Sequence, residues 1–453
     1  MQSVNPATNE PIQRYEEATA EQCGRIVESV HEAWLDWRRT AFAVRAECLR
    51  RAAAILRDDS ERWARLMTAE MGKPISAARA EVAKCALVCD YYADNGESFL
   101  QPEAVETEAT SSYVCYRPLG VVLAVMPWNF PFWQVFRFAA PTLMAGNAIV
   151  LKHASNVPGC ALVIQDIFLS AGFPPDLFRT LLVGSAQVEA IIAHPNVRAV
   201  TLTGSTEAGR AVAALAGRHL KKAVLELGGA DPYVILEDAD LEAAAAACVT
   251  GRLINAGQSC IAAKRWIVVE AVRERFTRLV LAGMSAAPQG DPFDDATIVG
   301  PLARTDLRDE LHMHVRLSIA AGAKLLLGGQ APDRPGAWYP ATVLDDVRPG
   351  MPAWEQELFG PVAVIIGAKD EADALRIAND SPFGLGAAVF TRDLARGERI
   401  AREELDAGAC FVNAFVRSDP RLPFGGVKDS GYGRELGVHG IREFVNVKTV
   451  YVR

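Results

Sequence analysis

A chain of 453 residues exceeds what one hydrophobic core usually holds, so two or more domains are predicted. Half of the residues are apolar, 23% are charged and the net charge is −8, which excludes the basic surface of a nucleic-acid-binding protein and a polybasic membrane patch. The nine cysteines lack the spacing of a disulfide framework or a metal site, the N-terminus lacks a signal-peptide pattern, and no apolar run is long enough to cross a membrane. We therefore expect a cytoplasmic protein without a bound metal.

The first hundred residues are predicted to be mainly helical. Apolar residues recur at spacings of three and four within residues 20–37 and 43–56, as on one face of an amphipathic helix. A polar stretch that favours extended structure follows at residues 107–118.

Short strands alternate with helices from residue 120 onward. The predicted strands are 120–126, 148–152, 180–183, 199–203 and 222–226, and the helices between them are 131–145, 159–171, 186–193 and 209–220. Alternation at this spacing predicts an α/β fold with a doubly wound parallel sheet covered by helices on both faces.

A second α/β block begins near Asp231. Its predicted helices are 241–255 and 273–284, and its predicted strands are 264–269, 324–327, 361–366, 387–391 and 408–413. The last strand, 444–452, has no partner in its own segment, so we expect it to pair with another element or another subunit.

Two polar motifs lie where predicted strands end. Pro-Trp-Asn-Phe-Pro at 127–131 follows the first strand, and an amide such as that of Asn129 can donate a hydrogen bond to a developing oxyanion. Gly204 and Ser205 precede a helix, where a phosphate binds well, although the GxGxxG and Walker patterns are absent. A proline-bounded turn and an ordinary helix N-cap are the structural alternatives, and neither motif decides alone.

Two further motifs carry reactive side chains. Glu226 ends an apolar strand, where burial would raise its pKa and suit it to act as general base on water. Cys260 lies on a loop between a helix and a strand, a position in which a rigid scaffold can hold a nucleophile. Either residue could instead be structural, because most cysteines are simply buried.

In this order and spacing the four motifs resemble those of the aldehyde dehydrogenase superfamily, and the resemblance extends over essentially the whole chain. Further matches are Glu-Leu-Phe-Gly-Pro at 357–361, Pro-Phe-Gly-Gly at 423–426 and Ser-Gly-Tyr-Gly at 430–433. The resemblance implies NAD(P)-dependent oxidation of an aldehyde to a carboxylic acid through a thiohemiacetal and a thioester on cysteine. It also implies a homodimer or homotetramer with three parts in each chain: a dinucleotide-binding domain (1–106 and 119–228), an α/β catalytic domain (229–428) and a small β oligomerisation element (107–118 and 429–453).

The resemblance assigns roles to individual residues. Cys260 matches the nucleophile, Glu226 the general base, and Asn129, together with the Cys260 N–H, the oxyanion site. The residues at cofactor-binding positions are Trp128, Lys152, Gly184, Gly204, Ser205, Glu357 and Phe359. Among them, Lys152 matches a contact to the adenosine ribose, Glu357 a contact to the nicotinamide ribose, and Phe359 the ring beside the nicotinamide.

Ser155 bears on the choice of cofactor. NAD-selective relatives often carry a glutamate three residues after the lysine that Lys152 matches, and a carboxylate there would repel a 2′-phosphate. A serine hydroxyl can donate to that phosphate, and Lys152 supplies positive charge. We therefore expect NADP as the preferred cofactor, with NAD possible.

Three residues are candidates for the substrate site. Arg137 follows the oxyanion motif on a helix that lines the family's substrate tunnel, where an unpaired guanidinium would bind a substrate carboxylate; a surface or ion-paired arginine is the alternative. Ser259 and Ser418 could add hydrogen bonds. Residues 152–158 and 418–426 look most like bacterial succinate-semialdehyde dehydrogenases of the shorter kind, which implies succinate semialdehyde as the substrate.

Several alternatives stay open at this point. The aldehyde could be glutarate semialdehyde, an aminoaldehyde or an aromatic aldehyde. Acyl transfer to coenzyme A is disfavoured because that chemistry does not need the water-activating Glu226. A non-catalytic descendant is disfavoured because Cys260, Glu226 and Asn129 are all retained.

Overall fold

The computed structural model describes all residues from 1 to 453. Fifteen α-helices cover the N-terminal region and the faces of two large sheets. In chain order they are α1 (Ala20–Trp37), α2 (Phe42–Asp58), α3 (Ser60–Met71), α4 (Ile75–Phe99), α5 (Trp133–Met144), α6 (Pro158–Ser170), α7 (Val188–Ala193), α8 (Thr206–Arg218), α9 (Leu241–Leu253), α10 (Glu270–Ala286), α11 (Thr305–Ala320), α12 (Pro352–Glu355), α13 (Glu371–Asn379), α14 (Leu394–Arg399) and α15 (Gly437–Glu443). None of these helices is both long enough and apolar enough to span a membrane.

Twenty strands form two large sheets and three small ones. They are β1 (Gln2–Val4), β2 (Pro11–Arg14), β3 (Glu103–Ala104), β4 (Ser111–Pro118), β5 (Val121–Met126), β6 (Ala148–His153), β7 (Phe178–Thr180), β8 (Val197–Thr203), β9 (Lys222–Glu226), β10 (Pro232–Ile235), β11 (Arg265–Val269), β12 (Lys324–Leu327), β13 (Thr342–Asp345), β14 (Val362–Ala368), β15 (Phe383–Gly384), β16 (Gly386–Phe390), β17 (Ala409–Val412), β18 (Val427–Lys428), β19 (Gly431–Tyr432) and β20 (Val445–Val452).

The first large sheet has the order β19-β9-β8-β5-β6-β7, and all of its strands are parallel except β19. The chain proceeds outward from β5 to β7 and then returns to β8 on the other side of β5. This reversal creates a crevice at the carboxyl ends of β5 and β8, which is where open α/β sheets bind ligands. The predicted doubly wound parallel sheet is therefore confirmed.

Helices α1 to α4 pack against this first sheet and share its apolar core. The predicted helix at 20–37 agrees with α1 in both bounds, and the helix predicted at 43–56 is three residues shorter than α2. The strand predicted at 180–183 lies instead at Phe178–Thr180, because the residues after Thr180 form the turn into α7.

The second large sheet has the order β12-β13-β14-β11-β10-β16-β17 and is parallel except for its edge strand β12. Apolar cores lie on both of its faces, as expected for a sheet covered by helices on each side. The predicted second α/β block is therefore confirmed, while the limits of the three proposed domains stay a prediction.

The terminal strand β20 forms a three-stranded antiparallel sheet with β4 and β3, in the order β20-β4-β3. It pairs with β4 along its whole length, from Val445 opposite Pro118 to Val452 opposite Ser111. The predicted partner of the C-terminal strand is thus another element of the same chain, and the outer edge of β20 stays unpaired.

Candidate active site

A cavity of about 430 Å³ opens at the crevice between β5 and β8. We call it the switch-point cavity. Its walls include the turns after β5, β8 and β9, one face of α11 and the segment at residues 356–359. The predicted site residues in its lining are Trp128, Asn129, Gly204, Ser205, Cys260, Glu357 and Phe359. The fold thus brings together seven residues that lie far apart along the chain.

A second cavity, of about 330 Å³, lies on the other side of Cys260, between the faces of α4, α5 and α9. We call it the helical cavity. It contains the predicted residues Arg137, Ser259 and Ser418, and its apolar walls include Phe130, Trp133, Ile254, Ile261, Val416 and Phe424. Cys260 lines both cavities, so this residue lies at their junction.

The loop before Cys260 has an unusual backbone. Asn255, Ala256 and Gly257 have φ values of 54°, 52° and 77°, which place three successive residues in the left-handed region. A left-handed conformation costs a non-glycine residue about 1–2 kcal/mol. The surrounding hydrogen bonds must therefore hold this turn in place.

Side-chain donors satisfy three successive carbonyls of the nucleophile loop. The Gln258 carbonyl accepts hydrogen bonds from Nδ2 of Asn129 at 3.2 Å and from Nδ2 of Asn255 at 3.1 Å. Lys264 Nζ donates to the carbonyls of Ser259 at 2.9 Å and Cys260 at 2.7 Å. With its carbonyls turned outward, the loop leaves the Cys260 N–H without an acceptor in the chain.

Asn129 is held against this loop from the opposite side. Its backbone carbonyl accepts from Nδ2 of Asn255 at 2.7 Å, and its side chain is 5% exposed. Only one hydrogen of its side-chain amide is used by Gln258, so the second can donate elsewhere. Asn129 Nδ2 and the Cys260 N–H are therefore two donors available beside the sulfur.

The Cys260 thiol is protonated in this environment. Burial raises its pKa to about 12, and the nearby charges of Arg137 and Lys264 only partly oppose this effect. The other cysteines are free thiols as well, but none of them lies at the junction of two cavities. The site must therefore lower the cost of ionising Cys260 when a reaction begins.

Glu226 ends β9 and is 2% exposed. Neither carboxylate oxygen has a hydrogen-bond partner, and a Cβ placed on Gly425 would lie 2.7 Å from its Oε1. Burial raises its pKa well above the usual range, and the charge of Arg137 counteracts this only in part. Glu226 is not in the lining of either cavity.

Several cofactor candidates have defined partners. Ser205 caps helix α8 by accepting from the Ala208 N–H at 3.2 Å, so the predicted N-cap is present at the mouth of the switch-point cavity. Glu357 lies 3.1 Å from Lys264 Nζ, while the rings of Trp128 and Phe359 meet edge to face with centroids 5.7 Å apart. Unlike these residues, Lys152, Ser155 and Gly184 are not in the cavity lining; they follow or end the neighbouring strands β6 and β7.

Arg137 differs from the expectation of an unpaired cation. Its side chain is 2% exposed and is ion-paired with buried Glu435, and its Nη2 donates to Thr203 Oγ1 at 3.3 Å. The alternative of an ion-paired arginine is therefore what the structure contains. Arg137 still lines the helical cavity, so a contact with substrate stays a prediction.

Comparison with known proteins gives a consistent result. The model of the aldehyde dehydrogenase family matches residues 1–450. The chain belongs to the aldehyde dehydrogenase family. A relative from Synechocystis, named probable succinate-semialdehyde dehydrogenase (NADP+), is 50% identical over 99% of both chains.

Two further relatives of this aldehyde dehydrogenase agree. One from Escherichia coli K12, named succinate semialdehyde dehydrogenase (NAD(P)+), is 48% identical over 99% of this chain and 97% of the relative. A crystal structure of a succinic semialdehyde dehydrogenase from Streptococcus pyogenes with NADP+ has a TM-score of 0.97 at 37% identity, covering 100% of this chain and 99% of that one.

Three residues of the dehydrogenase site lie outside the motifs that the sequence analysis singled out. Lys264 and Asn255 fix the nucleophile loop, and their closeness to Cys260 in sequence was the available signal. Lys84, on α4, donates to Ser418 Oγ at 2.6 Å across the helical cavity. No local pattern distinguishes Lys84 from any other lysine of a long helix, so only the tertiary structure identifies it.

Proposed function

We propose that this dehydrogenase oxidises succinate semialdehyde to succinate with NADP as the preferred cofactor. The observation that carries the proposal is the place of Cys260, a residue that lines both the switch-point cavity and the helical cavity. A nucleophile at such a junction can bond an aldehyde that enters from one side and hold its carbon towards a cofactor on the other. The names of the relatives support the substrate and the cofactor.

The reaction begins with attack by sulfur on the aldehyde carbon. The thiol transfers its proton to water, a C–S bond forms as the carbonyl π bond opens, and the carbonyl oxygen becomes an oxyanion. Asn129 Nδ2 and the Cys260 N–H are the donors that receive this charge, and preorganised donors of this kind are the usual source of electrostatic stabilisation. Positive charge from Arg137 and Lys264 favours the thiolate over the thiol.

The residues of the switch-point cavity fit a nicotinamide dinucleotide. The N-terminus of α8 with Ser205 suits a pyrophosphate, and the carboxylate of Glu357, which lines the cavity and is ion-paired with Lys264 through Oε1, can accept from a ribose hydroxyl. When bound, the cofactor supplies the hydride acceptor for the oxidation. The proposed contacts are Trp128, Lys152, Ser155, Gly184, Gly204, Ser205, Glu357 and Phe359.

Glu226 is proposed as the general base that activates water to hydrolyse the cysteine thioester. Burial keeps its pKa high, so the carboxylate is a stronger base than an exposed glutamate. Its two oxygens have no protein partner and can accept a proton from water. Hydrolysis breaks the C–S bond, releases the acid and restores the thiol.

The preference for NADP rests on Lys152 and Ser155. Lys152 forms no ion pair in the chain, and Ser155 is exposed where β6 ends. A 2′-phosphate could receive both positive charge and a hydroxyl hydrogen bond there. A glutamate in place of Ser155 would repel it.

The substrate carboxylate is proposed to bind in the helical cavity. Arg137, Ser259 and Ser418 stay the predicted contacts, with Arg137 acting from within its pair with Glu435. Glutarate semialdehyde, aminoaldehydes and aromatic aldehydes are the competing substrates within the same chemistry.

We also propose a cytoplasmic homodimer or homotetramer that is assembled through the three-stranded sheet. Val447, Tyr451 and Val452 expose apolar side chains on β20, whose outer edge has unpaired backbone groups. Exposed strand edges of this type are covered in native proteins. The nine free thiols suit a reducing compartment.

The test is a steady-state assay of cofactor reduction with NADP and NAD. Succinate semialdehyde, glutarate semialdehyde, butanal, an aminoaldehyde and benzaldehyde are compared by kcat/KM, and the Cys260→Ala variant serves as the blank. The highest value is expected for succinate semialdehyde with NADP. A preference for butanal, or equal use of all aldehydes, would contradict the proposed substrate, and activity in the blank would contradict the proposed chemistry.

A further inference from the structure

Three cations line the helical cavity, and they differ in how their charge is compensated. Arg137 is paired with the buried carboxylate of Glu435. Arg417 is exposed at the mouth, where water screens its charge. Lys84 has no carboxylate within 4.0 Å, although its ammonium group reaches into the cavity. The cavity therefore contains one half-buried cation whose charge no protein carboxylate compensates.

The groups that hold Lys84 are neutral. Its Nζ donates to Ser418 Oγ at 2.6 Å and lies 4.2 Å from the centroid of the Trp133 ring. An aromatic face and a hydroxyl orient an ammonium group, but they do not neutralise it. Two of its three N–H donors have no partner in the chain.

The acidic neighbours of Lys84 are engaged elsewhere. Glu81, one turn earlier on α4, is ion-paired with Lys73 and accepts from the backbone N–H groups of Phe132 and Trp133 at 2.9 Å. Asp419, next to Ser418, is bound by Arg421 at 2.7 Å. Neither carboxylate can turn to Lys84 without leaving a partner unpaired.

An uncompensated ammonium in a largely apolar cavity is costly, and its pKa reflects that cost. Burial, with a smaller contribution from the charge of Arg137, lowers the pKa of Lys84 to about 8. An anion that entered the cavity would remove the cost by pairing with the ammonium. The cavity therefore favours a ligand that combines an apolar body with one negative charge.

We propose that Lys84, oriented by Ser418, binds the distal carboxylate of the aldehyde substrate and determines the preference for acidic aldehydes. This inference rests on the proposed function and names the cation that selects the substrate. Cys260, Ser259, Lys84 and Ser418 line the same cavity, and the side chains of Trp133, Ile261 and Phe424 in its lining can contact methylene groups. A short chain with an aldehyde at one end and a carboxylate at the other matches this distribution of groups.

The decisive variant is Lys84→Met, which keeps the length of the side chain and removes the charge. A charge-assisted hydrogen bond is worth about 1.5–3 kcal/mol, so kcat/KM for succinate semialdehyde should fall roughly 10–100-fold. The kcat/KM for butanal should change by less than about threefold, because butanal has no carboxylate to lose a partner. Most of the loss should appear in KM, since the carboxylate is bound equally in the ground state and the transition state.

Arg417→Met is the matched control. It removes one positive charge from the same cavity lining, but from an exposed side chain that water already screens. Its effect on kcat/KM for succinate semialdehyde should stay below about threefold. If Arg417→Met reproduces the loss seen in Lys84→Met, the general field of the cavity selects the substrate and the assignment to Lys84 is wrong.

The pH dependence of the substrate preference is a second test, because a purely structural role of Lys84 would not change that preference with pH. The ratio of kcat/KM for succinate semialdehyde to kcat/KM for butanal should fall as the pH rises through about 8, where Lys84 loses its proton. The ionisations of Cys260 and Glu226 affect both aldehydes alike and cancel in the ratio. In Lys84→Met the ratio should be flat. The charged and titratable groups around Lys84 are Glu81 and Cys85 on α4, Arg137 on α5, and Arg417 and Asp419 on the loop after Val416.

The outcomes separate this proposal from the proposed function. If the wild type prefers succinate semialdehyde and Lys84→Met keeps that preference, only the role of Lys84 is overturned. If the wild type shows no preference for acidic aldehydes, the proposed substrate fails and this proposal fails with it. If Lys84→Met does not fold, Lys84→Gln is measured in its place. The wild-type protein also tests the proposal, because its ratio of kcat/KM for succinate semialdehyde to kcat/KM for butanal should change between pH 7 and pH 9. A constant ratio contradicts the proposal.

Discussion

The two cavities that meet at Cys260 differ in what forms their walls. The switch-point cavity combines turns after the parallel strands β5, β8 and β9 with one face of α11 and the segment before β14, and it presents polar side chains such as those of Ser205 and Glu357. The helical cavity is formed by side chains from helices and by a late loop, with apolar walls and three cations that differ in exposure. Cofactor choice and aldehyde choice should therefore be separable, and only groups near the junction should affect both.

The largest effect is expected from Glu226, because its proposed role in hydrolysing the thioester is the same for every aldehyde and for both cofactors. Glu226→Gln keeps the size of the side chain but removes the base, so steady-state turnover should fall about 10²–10⁴-fold with every aldehyde and either cofactor. A rapid burst of one reduced cofactor per active site should remain, measured by stopped-flow absorbance. Because burial raises the pKa of Glu226, the base form accumulates as the pH rises above the usual titration range of a glutamate, and wild-type turnover should increase in the same direction. Steady turnover without a burst in the variant would exclude this role.

The second prediction tests whether the ion pair between Arg137 and Glu435, at the helical cavity, also stabilises the fold. Arg137→Ala would leave Glu435 buried without its partner, which should lower the free energy of unfolding by about 3–5 kcal/mol. The penalty should shrink as the pH falls, because protonated Glu435 no longer carries an uncompensated charge. Urea unfolding of the variant and of Arg137→Met/Glu435→Gln measures both effects. Equal stability of the two proteins at pH 8 would show that the pair is not the source of the loss.

Asn129 should affect the reaction and not the binding of either ligand. Asn129→Ala removes one donor to the oxyanion, so kcat should fall about 10²–10³-fold for all aldehydes while KM changes little. Steady-state kinetics with succinate semialdehyde and butanal measures this, and thermal unfolding checks that the nucleophile loop, which Asn129 also contacts, stays folded. A raised KM with unchanged kcat would place Asn129 among the substrate contacts.

The smallest effect is expected from Ser155, and it should change only the preference between NADP and NAD. Ser155→Glu brings a carboxylate to the proposed 2′-phosphate site, and a repulsion of about 1.4 kcal/mol would lower kcat/KM for NADP about tenfold relative to NAD. Ser155→Ala, which removes the hydroxyl without adding charge, should cause a smaller change. The ratio of kcat/KM for succinate semialdehyde and butanal should be the same in both variants and the wild type. A change in that ratio would mean that the two cavities are not independent.

The same contrast explains how much the sequence predicts. The predicted residues of the switch-point cavity come mainly in contiguous motifs, two of which follow strands and one of which precedes β14. Trp128 with Asn129, Gly204 with Ser205, and Glu357 with Phe359 were therefore visible as short patterns, and the strands β5, β6 and β9 were predicted to within one residue. The parallel sheet followed from the alternation of strands and helices.

The residues that line the helical cavity are much harder to identify from the sequence. Lys84, Arg137 and Ser418 come from α4, α5 and a late loop, and their contacts depend on how the helices cross. Arg137 was identified through its spacing from Trp128, but its partner Glu435 lies almost three hundred residues later and gives no local signal. Lys84 looks like any partly exposed lysine on a long helix. Side-chain pairing between distant elements is therefore the part that only the tertiary structure provides.

The backbone of Gly257 fixes how closely the loop before Cys260 packs against the segment that contains Phe359 and Gly360. Its left-handed backbone lies so close to Gly360 that a methyl group at residue 257 would overlap the Gly360 carbonyl. Gly360 directly follows Phe359, so the main chain before the nucleophile touches the main chain beside the proposed nicotinamide position. Because close-packed segments transmit displacement, a shift of the 357–360 segment pushes directly on the turn that carries Cys260. Any residue larger than glycine at position 257 should therefore displace the turn before Cys260 or the 357–360 segment.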